Sequence, residues 1–203
     1  MSMVIQTLAG VVLAYLIGAA PFALMLGKMN GVDIRTKGSG NVGATNLTRN
    51  VGKSWGAACF ILDFLKGFLP TLLFPRAFTE AHPALGVLCA VAAVAGHVYP
   101  VYLRFKGGKG VSTTLGALLA LSAVPVLIAM AVWAIVFKTS RYVSVASLSA
   151  AAALPAAALF CRGDAWTKWA FLGLAILIIY RHRSNITALR NGTENRFSRK
   201  RQS

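Results

Sequence analysis

Acidic side chains are scarce: the chain carries 5 Asp and Glu against 21 Lys and Arg, a formal net charge of +16 over 203 residues. Charged residues make up only 13% of the sequence and hydrophobic ones 57%, at a mean hydropathy of +0.65. Soluble domains carry roughly a quarter charged residues, so this balance excludes an ordinary soluble domain and marks a membrane protein. Cysteine is sparse too. Cys59, Cys89 and Cys161 lie in or beside apolar runs, without CxxC or metal-ligand spacing, and read as buried packing residues with neither a disulfide nor a metal. A nucleotide phosphate loop is missing: Gly52-Lys53-Ser54 would close one, but Leu47 stands where its first glycine belongs. Nucleic acid is disfavoured as a partner, because the cations sit on short segments between apolar stretches and not on a soluble basic face.

The apolar stretches cover about residues 4–26, 55–75, 84–103, 113–137, 143–160 and 165–180. A helical crossing needs roughly 20 residues. The first stretch, Val4 to Leu26, is too long for a signal-peptide core and lacks a basic leader, so it reads as a retained span. Lys28, Arg35, Lys37, Arg49 and Lys53 fill the first loop, Arg76 is alone between the second and third stretches, and Arg104, Lys106 and Lys109 follow the third. Lys and Arg in short loops gather on the cytoplasmic side. A single crossing by residues 113–137 would send Lys138, Arg141 and the tail cations Arg181, Arg183, Arg190, Arg196, Arg199, Lys200 and Arg201 outside. Two short or tilted crossings, turning near Ser122 and Pro125, return them to the cytoplasm and leave Arg162 and Lys168 at the outer end. The expected fold is therefore all-α and polytopic, one domain over residues 1–203. It has seven transmembrane helices with a short or tilted central hairpin, the N-terminus outside, and a cytoplasmic C-terminus with a basic tail from about residue 181 to 203.

Four polar clusters are not explained by the membrane. Gly38 to Arg49 combines glycines, small hydroxyls, amides and one guanidinium, the composition of a nest in which backbone N–H groups and an Arg fork surround an anion. Composition alone leaves a flexible polar loop equally open. Gly96 to Thr113 again sets glycines around cations, with Lys109 between Gly108 and Gly110 just before a helix start that favours anions; a basic stop-transfer loop is the plain alternative. Tyr99, Tyr102 and Phe105 read as interface anchors. Ser144, Ser147 and Ser149 suit helix packing as well as a ligand. In the tail, His182 and Asn185 stand three apart on one helical face, beside cations that equally suit a lipid surface. Asp63 and Lys66, three apart within a span, read as a structural ion pair supporting the first loop, and His97 as an acid, a base or a partner for backbone freed near Pro100.

These motifs, taken in order, resemble the bacterial acyl-phosphate:glycerol-3-phosphate acyltransferase family. The similarity runs through Ser39-Gly40-Asn41 to Asn46 and Arg49, Gly96-His97, Pro100-Val101, Phe105-Lys106-Gly107-Gly108-Lys109-Gly110-Val111, Ser144 to Leu148, and His182 with Asn185 and Glu194. The resemblance implies a multi-pass protein of the bacterial cytoplasmic membrane whose active site faces the cytoplasm. It would transfer a fatty acyl group from acyl phosphate to glycerol 3-phosphate, giving lysophosphatidic acid for phospholipid biosynthesis. On the matching positions it implies that Ser39, Gly40, Asn41, Gly43, Thr45, Asn46, Arg49, Lys106 and Gly108 bind substrate and phosphate. Lys109, Ser147, His182 and Asn185 form the catalytic set, with Lys109 on a phosphate, Ser147 lining the pocket, and His182 and Asn185 positioning the glycerol. A substrate phosphate is able to take the hydroxyl proton, so His182 is essential without being assigned as the base.

Neither a cofactor nor a metal is implied. The expected partners are acyl phosphate, glycerol 3-phosphate and membrane lipids, with no nucleic acid; an upstream enzyme must form the acyl phosphate, and the sequence says nothing of a direct contact with it. Thioester-using acyltransferases carry a His-x4-Asp pair, whereas Val87, Tyr102 and Thr187 follow His82, His97 and His182 at that spacing, which favours acyl phosphate over acyl-CoA. A transporter of a phosphorylated solute is the main rival, without the repeated half-fold such proteins often show. A lipid-binding scaffold is the second, and it would have no use for the glycine-rich loop.

Overall fold

The apolar stretches fold as helices, and proline, glycine and serine decide where each one ends. The computed structural model describes residues 2–161 and 163–197. Arg162 and the tail cations Arg199, Lys200 and Arg201 lie outside the described residues. The chain divides into two compact units, Met1–Ala123 and Val124–Ser203.

In the first unit, α1 (Met3–Gly18) and α2 (Phe22–Met29) are separated at Pro21, whose ring and missing N–H interrupt the helical ladder. After the glycine-rich loop come the short α3 (Ala44–Asn50) and the long α4 (Lys53–Ala77). Then follow α5 (Leu85–Val98), a single 3₁₀ turn at Val101–Leu103, and α6 (Val111–Leu121). Small residues let these helices touch backbone to backbone. A Cβ added at Gly18 would lie 2.1 Å from Ala93 O, and one at Gly96 2.2 Å from Tyr15 O, so α1 and α5 meet through glycine. Gly67 against Thr113 O (2.2 Å) and Gly116 against Phe64 O (2.1 Å) do the same for α4 and α6. Such contacts replace the hydrophobic drive that is missing between helices in lipid. Under the glycine-rich loop, Ile34, Val42 and Leu47 bury themselves with Ala23, Leu24 and Cys59.

The second unit holds most of α7 (Ala123–Ser140), then α8 (Val143–Leu159), α9 (Ala165–Arg181) and α10 (Arg183–Arg190). Asp164 caps α9: Oδ1 accepts from Thr167 N at 2.9 Å and Oδ2 from Thr167 Oγ1 at 2.8 Å. These bonds hold its carboxyl below the usual carboxylate range.

The expectation of seven transmembrane helices is corrected. Among the described residues, four helices are long and apolar enough to cross a membrane: Met3–Met29, Lys53–Ala77, Leu85–Leu103 and Ala123–Ser140. Counting every apolar stretch as a crossing measures composition and not length. The stretch 113–137 does break at Ser122, which is extended, into α6, of 11 residues, and α7, but only α7 is long and apolar enough to cross. Eleven residues rise only about 16 Å, roughly half of a 30 Å hydrocarbon core. The 17-residue α8 and α9 are also below spanning length, α8 being mostly Ala and Ser around Pro155 and α9 carrying Lys168 in its first turns. The outside N-terminus and cytoplasmic C-terminus are deduced from seven crossings and lose that argument with them. An all-α, multi-pass membrane protein remains.

Candidate active site

In the first unit the glycine-rich loop is organised by one buried amide. Asn46, 2% exposed, directs Nδ2 at three carbonyls, those of Ile34 (3.1 Å), Lys37 (3.0 Å) and Asn41 (3.1 Å). Its Oδ1 accepts from the Ser39 amide at 3.1 Å and from Asn50 Nδ2 at 2.9 Å. With its polar atoms so engaged, Asn46 shapes the loop from within. Gly38 and Gly40 take positive φ, 56° and 66°, which only glycine adopts at little cost. Ser39 is left exposed between them, Asn41 and Thr45 are half-buried, and Gly43 leads extended into α3. Arg49 sits in the last turn of α3 with its side chain exposed. At the loop's start Asp33 and Arg35 form an exposed ion pair of 2.6 Å, and the guanidinium holds the Asp33 carboxyl down to about 2.

The second glycine cluster folds back beside the first. Gly107 N donates to Val98 O and Gly108 N to His97 O, both at 3.2 Å, returning the chain onto the end of α5. A Cβ on Gly108 would lie 2.2 Å from His97 Nε2 and 2.8 Å from Val42 O, so glycine alone allows this segment to lie against the first loop. Ala20, Pro21, Val42, Asp63, Lys66, His97, Gly107 and Gly108 are among the residues around a small cavity there. Lys109 is half-buried and Lys106 exposed. Arg104 and Phe105 both take left-handed backbone, φ 50° and 62°, a strained pair that turns the chain within a few residues. Gly110, at φ 86°, then opens α6 directly after Lys109.

In the second unit the tail folds back over the α7–α8 junction. Phe197 N donates to Arg141 O at 3.0 Å, Arg196 Nε to Ser140 O at 3.1 Å, and the Arg196 guanidinium lies 5.6 Å from the Tyr142 ring centre. This return brings Glu194 to Ser144, whose Oγ donates to Oε1 at 2.7 Å, and to Asn185, whose Nδ2 donates to the same oxygen at 2.8 Å. Ser147 is buried and its Oγ accepts from Trp133 Nε1 at 3.2 Å. His182, 3% exposed, stands between α9 and α10 with Nδ1 2.8 Å from Ile178 O. A carbonyl only accepts, so Nδ1 carries the proton, and Nε2 of the neutral ring is an acceptor.

Of the residues singled out from sequence, Ser39, Gly40, Asn41, Gly43, Thr45, Asn46 and Arg49 thus share one loop and short helix, adjoined by the segment carrying Gly108 and Lys109. Ser147, His182 and Asn185 lie in the second unit. Sequence reasoning quoted Glu194 among the motif positions but gave it no role, and it passed over Trp133, which nothing in the sequence distinguishes from a lipid-facing aromatic. The expected Asp63–Lys66 pair is present at 2.7 Å. Among the described residues no group of three or more His, Cys, Asp or Glu is disposed to hold a metal ion.

Glycine-shaped, cation-bearing loops on an all-helical, multi-pass frame define a membrane protein equipped for phosphorylated ligands. The family model for glycerol-3-phosphate acyltransferase matches residues 8–192. A glycerol-3-phosphate acyltransferase of Aquifex aeolicus (strain VF5) is 46% identical over 189 residues, covering 92% of this chain and 97% of its own. One from Myxococcus xanthus (strain DK1622) is also 46% identical, covering 95% of this chain and all of its own. Two crystal structures of PlsY (YgiH), an integral membrane glycerol 3-phosphate acyltransferase, superpose with 42% identity over 95% of this chain. The glycerol 3-phosphate form gives a TM-score of 0.89 and the lysophosphatidic acid form 0.87. The chain belongs to the glycerol-3-phosphate acyltransferase family.

Proposed function

We propose that this chain transfers a fatty acyl group from acyl phosphate to glycerol 3-phosphate, releasing lysophosphatidic acid and phosphate. The observation that carries the reading is the likeness, at 42% identity over 95% of the chain, to a protein solved with the acceptor and with the product of this reaction. In the step itself, the hydroxyl oxygen of glycerol 3-phosphate bonds to the acyl carbonyl carbon. The carbon–oxygen bond to phosphate then breaks, and phosphate leaves with the electron pair. The hydroxyl proton ends on a phosphate oxygen. Acyl phosphate is already activated, so neither a covalent acyl-enzyme nor a strong protein base is needed; the protein's part is orientation and charge stabilisation.

Ser39, Asn41, Thr45 and Arg49 hold phosphate oxygens, Arg49 as a planar fork, with Gly40 and Gly43 giving their backbone close approach. Lys109, flanked by Gly108 and Gly110, places a point charge on a phosphate, and Lys106 adds to the local potential. Asn46 serves this set by fixing the loop's shape. In the second unit, His182 receives a hydrogen bond from the glycerol hydroxyl at Nε2, which the proton on Nδ1 makes an acceptor, and Asn185 and Ser147 serve the same glycerol. Residues 1–203 act as one acyltransferase domain. The active site faces the cytoplasm of the bacterial inner membrane: within the first unit the glycine-bearing segments hold Lys28, Arg35, Lys37, Arg49, Lys53, Arg104, Lys106 and Lys109. The α4–α5 link at the opposite ends of those helices offers only Arg76 beside it. Membrane lipids surround the spans, and the acyl donor reaches the site from the bilayer.

Purified protein in lipid or detergent, supplied with acyl phosphate and glycerol 3-phosphate, is expected to form one lysophosphatidic acid per phosphate released. Phosphate release without the lipid product contradicts the assignment.

A further inference from the structure

Three ionisable side chains meet inside the first unit, one layer beneath the cation-bearing loops. Asp63 and Lys66, three residues apart on α4, pair at 2.7 Å with each side chain 3% exposed, and His97 Nδ1 lies 3.6 Å from the same carboxylate oxygen. Lys66 Nζ also donates to Ala20 O at 2.8 Å, at the break between α1 and α2, and lies 5.4 Å from the centre of the Phe22 ring. The far edge of the imidazole meets the glycine preceding Lys109: a Cβ on Gly108 would fall 2.2 Å from Nε2. The His97 carbonyl receives the Gly108 amide at 3.2 Å. One cluster shared by α4 and α5 therefore reaches both the start of the chain toward the first loop and the turn that delivers Lys109.

The pair is formally neutral, so it adds little attraction for a phosphate. A buried ion pair is also poor glue, since apolar side chains of similar volume usually pack as stably. What charges provide and Leu or Met would not is direction. Contacts from one carboxylate and one ammonium fix an imidazole and a helix break at set positions. We infer that Asp63, Lys66 and His97 are positioning residues that hold the Gly107–Gly108 turn against Val42 and so set the approach of Lys109 to its phosphate. This role deepens the proposed function and rests on Lys109 being a phosphate ligand.

The test compares Asp63→Asn/Lys66→Met, which removes both charges at nearly constant volume, with His97→Ala and with His97→Asn, which keeps an N–H donor where Nδ1 stood. Hydrogen exchange of the Gly107 and Gly108 amides is read without substrate, and kcat/KM is read with acyl phosphate and glycerol 3-phosphate. The double variant and His97→Ala are expected to exchange these amides at least about tenfold faster, with exchange near Gly67 and Gly116 unchanged. Both should lose about 10- to 100-fold in kcat/KM, the scale of a misplaced catalytic group, and His97→Asn should recover most of it. Unchanged exchange at Gly107 and Gly108 overturns the network. Faster exchange with unchanged kcat/KM overturns its link to the reaction. Where the double variant does not insert, the two His97 variants decide between these outcomes. A wild-type protein that fails to transfer acyl groups sinks the proposed function instead, and leaves the exchange result to judge the network.

Discussion

Ser144 Oγ and Glu194 Oε1 are joined by a 2.7 Å hydrogen bond that closes a loop of fifty residues, tying the first turn of α8 to the C-terminal tail. The same oxygen accepts from Asn185 Nδ2 at 2.8 Å, so one carboxylate fixes the amide expected to face the glycerol.

Removing that acceptor takes a hydrogen bond from each of two donors. Glu194→Ala is expected to cost about 1–3 kcal/mol, the scale of lost hydrogen bonds to a charged acceptor, and to reduce turnover more than tenfold by loosening Asn185. Glu194→Gln retains a carbonyl acceptor and should recover most of both. Thermal unfolding and initial rates of the two variants check this; equal losses in Ala and Gln would mean that charge, and not the shared oxygen, is what the site uses.

Helix packing gives a second expectation. A Cβ at Gly116 would lie 2.1 Å from Phe64 O, a backbone atom with no rotamer to yield. Gly116→Val should therefore push α6 from α4 and destabilise the protein by about 1–3 kcal/mol, as overpacking does. Gly173, with nothing near its Cβ position, should accept Ala without loss. Detergent unfolding midpoints distinguish the two.

The glycine-rich segments were more legible than the frame that carries them. Gly38 to Arg49 and Gly107 to Lys109 stand out because glycines grouped with cations and small polar side chains break the apolar pattern, and the structure gives positive φ at Gly38 and Gly40 and a close backbone approach at Gly108. Asn46 was marked among the ligands, since a polar side chain in an anion-binding motif reads as a ligand; only the three carbonyls around Nδ2 reveal that it serves the loop's interior. The spans were overcounted because apolarity is visible in composition while length depends on local breaks. The break near Ser122 was legible, but it leaves α6 at 11 residues, too short to cross alone. Glu194 and Trp133 were missed as partners because their meaning lies in long-range contact: one touches Ser144 fifty residues away, the other Ser147 on the next helix.

Titration of the first loop offers a third expectation. Arg35 beside Asp33 holds that carboxyl at about 2, below its ordinary 3.8. A depressed folded pKa means that the pair's contribution is fully present above the ordinary value and is lost as pH falls from about 4 toward 2. Because both side chains are exposed, the effect should shrink with salt. The Asp33 carboxyl resonance should titrate near 2 in the native protein and move up toward 3.8 in Arg35→Met. An unchanged midpoint in that variant would assign the shift to something other than the ion pair.

Turnover of three single variants, Arg49→Ala, Lys109→Ala and His182→Ala, bears on the site assignment more than any other measurement. Each is assayed with acyl phosphate and glycerol 3-phosphate once it is shown to insert in the membrane. Each is predicted to lose most of its activity, about 100-fold or more in kcat/KM, as expected for groups that hold or orient the reacting phosphates and hydroxyl. Near-normal rates in all three would contradict it.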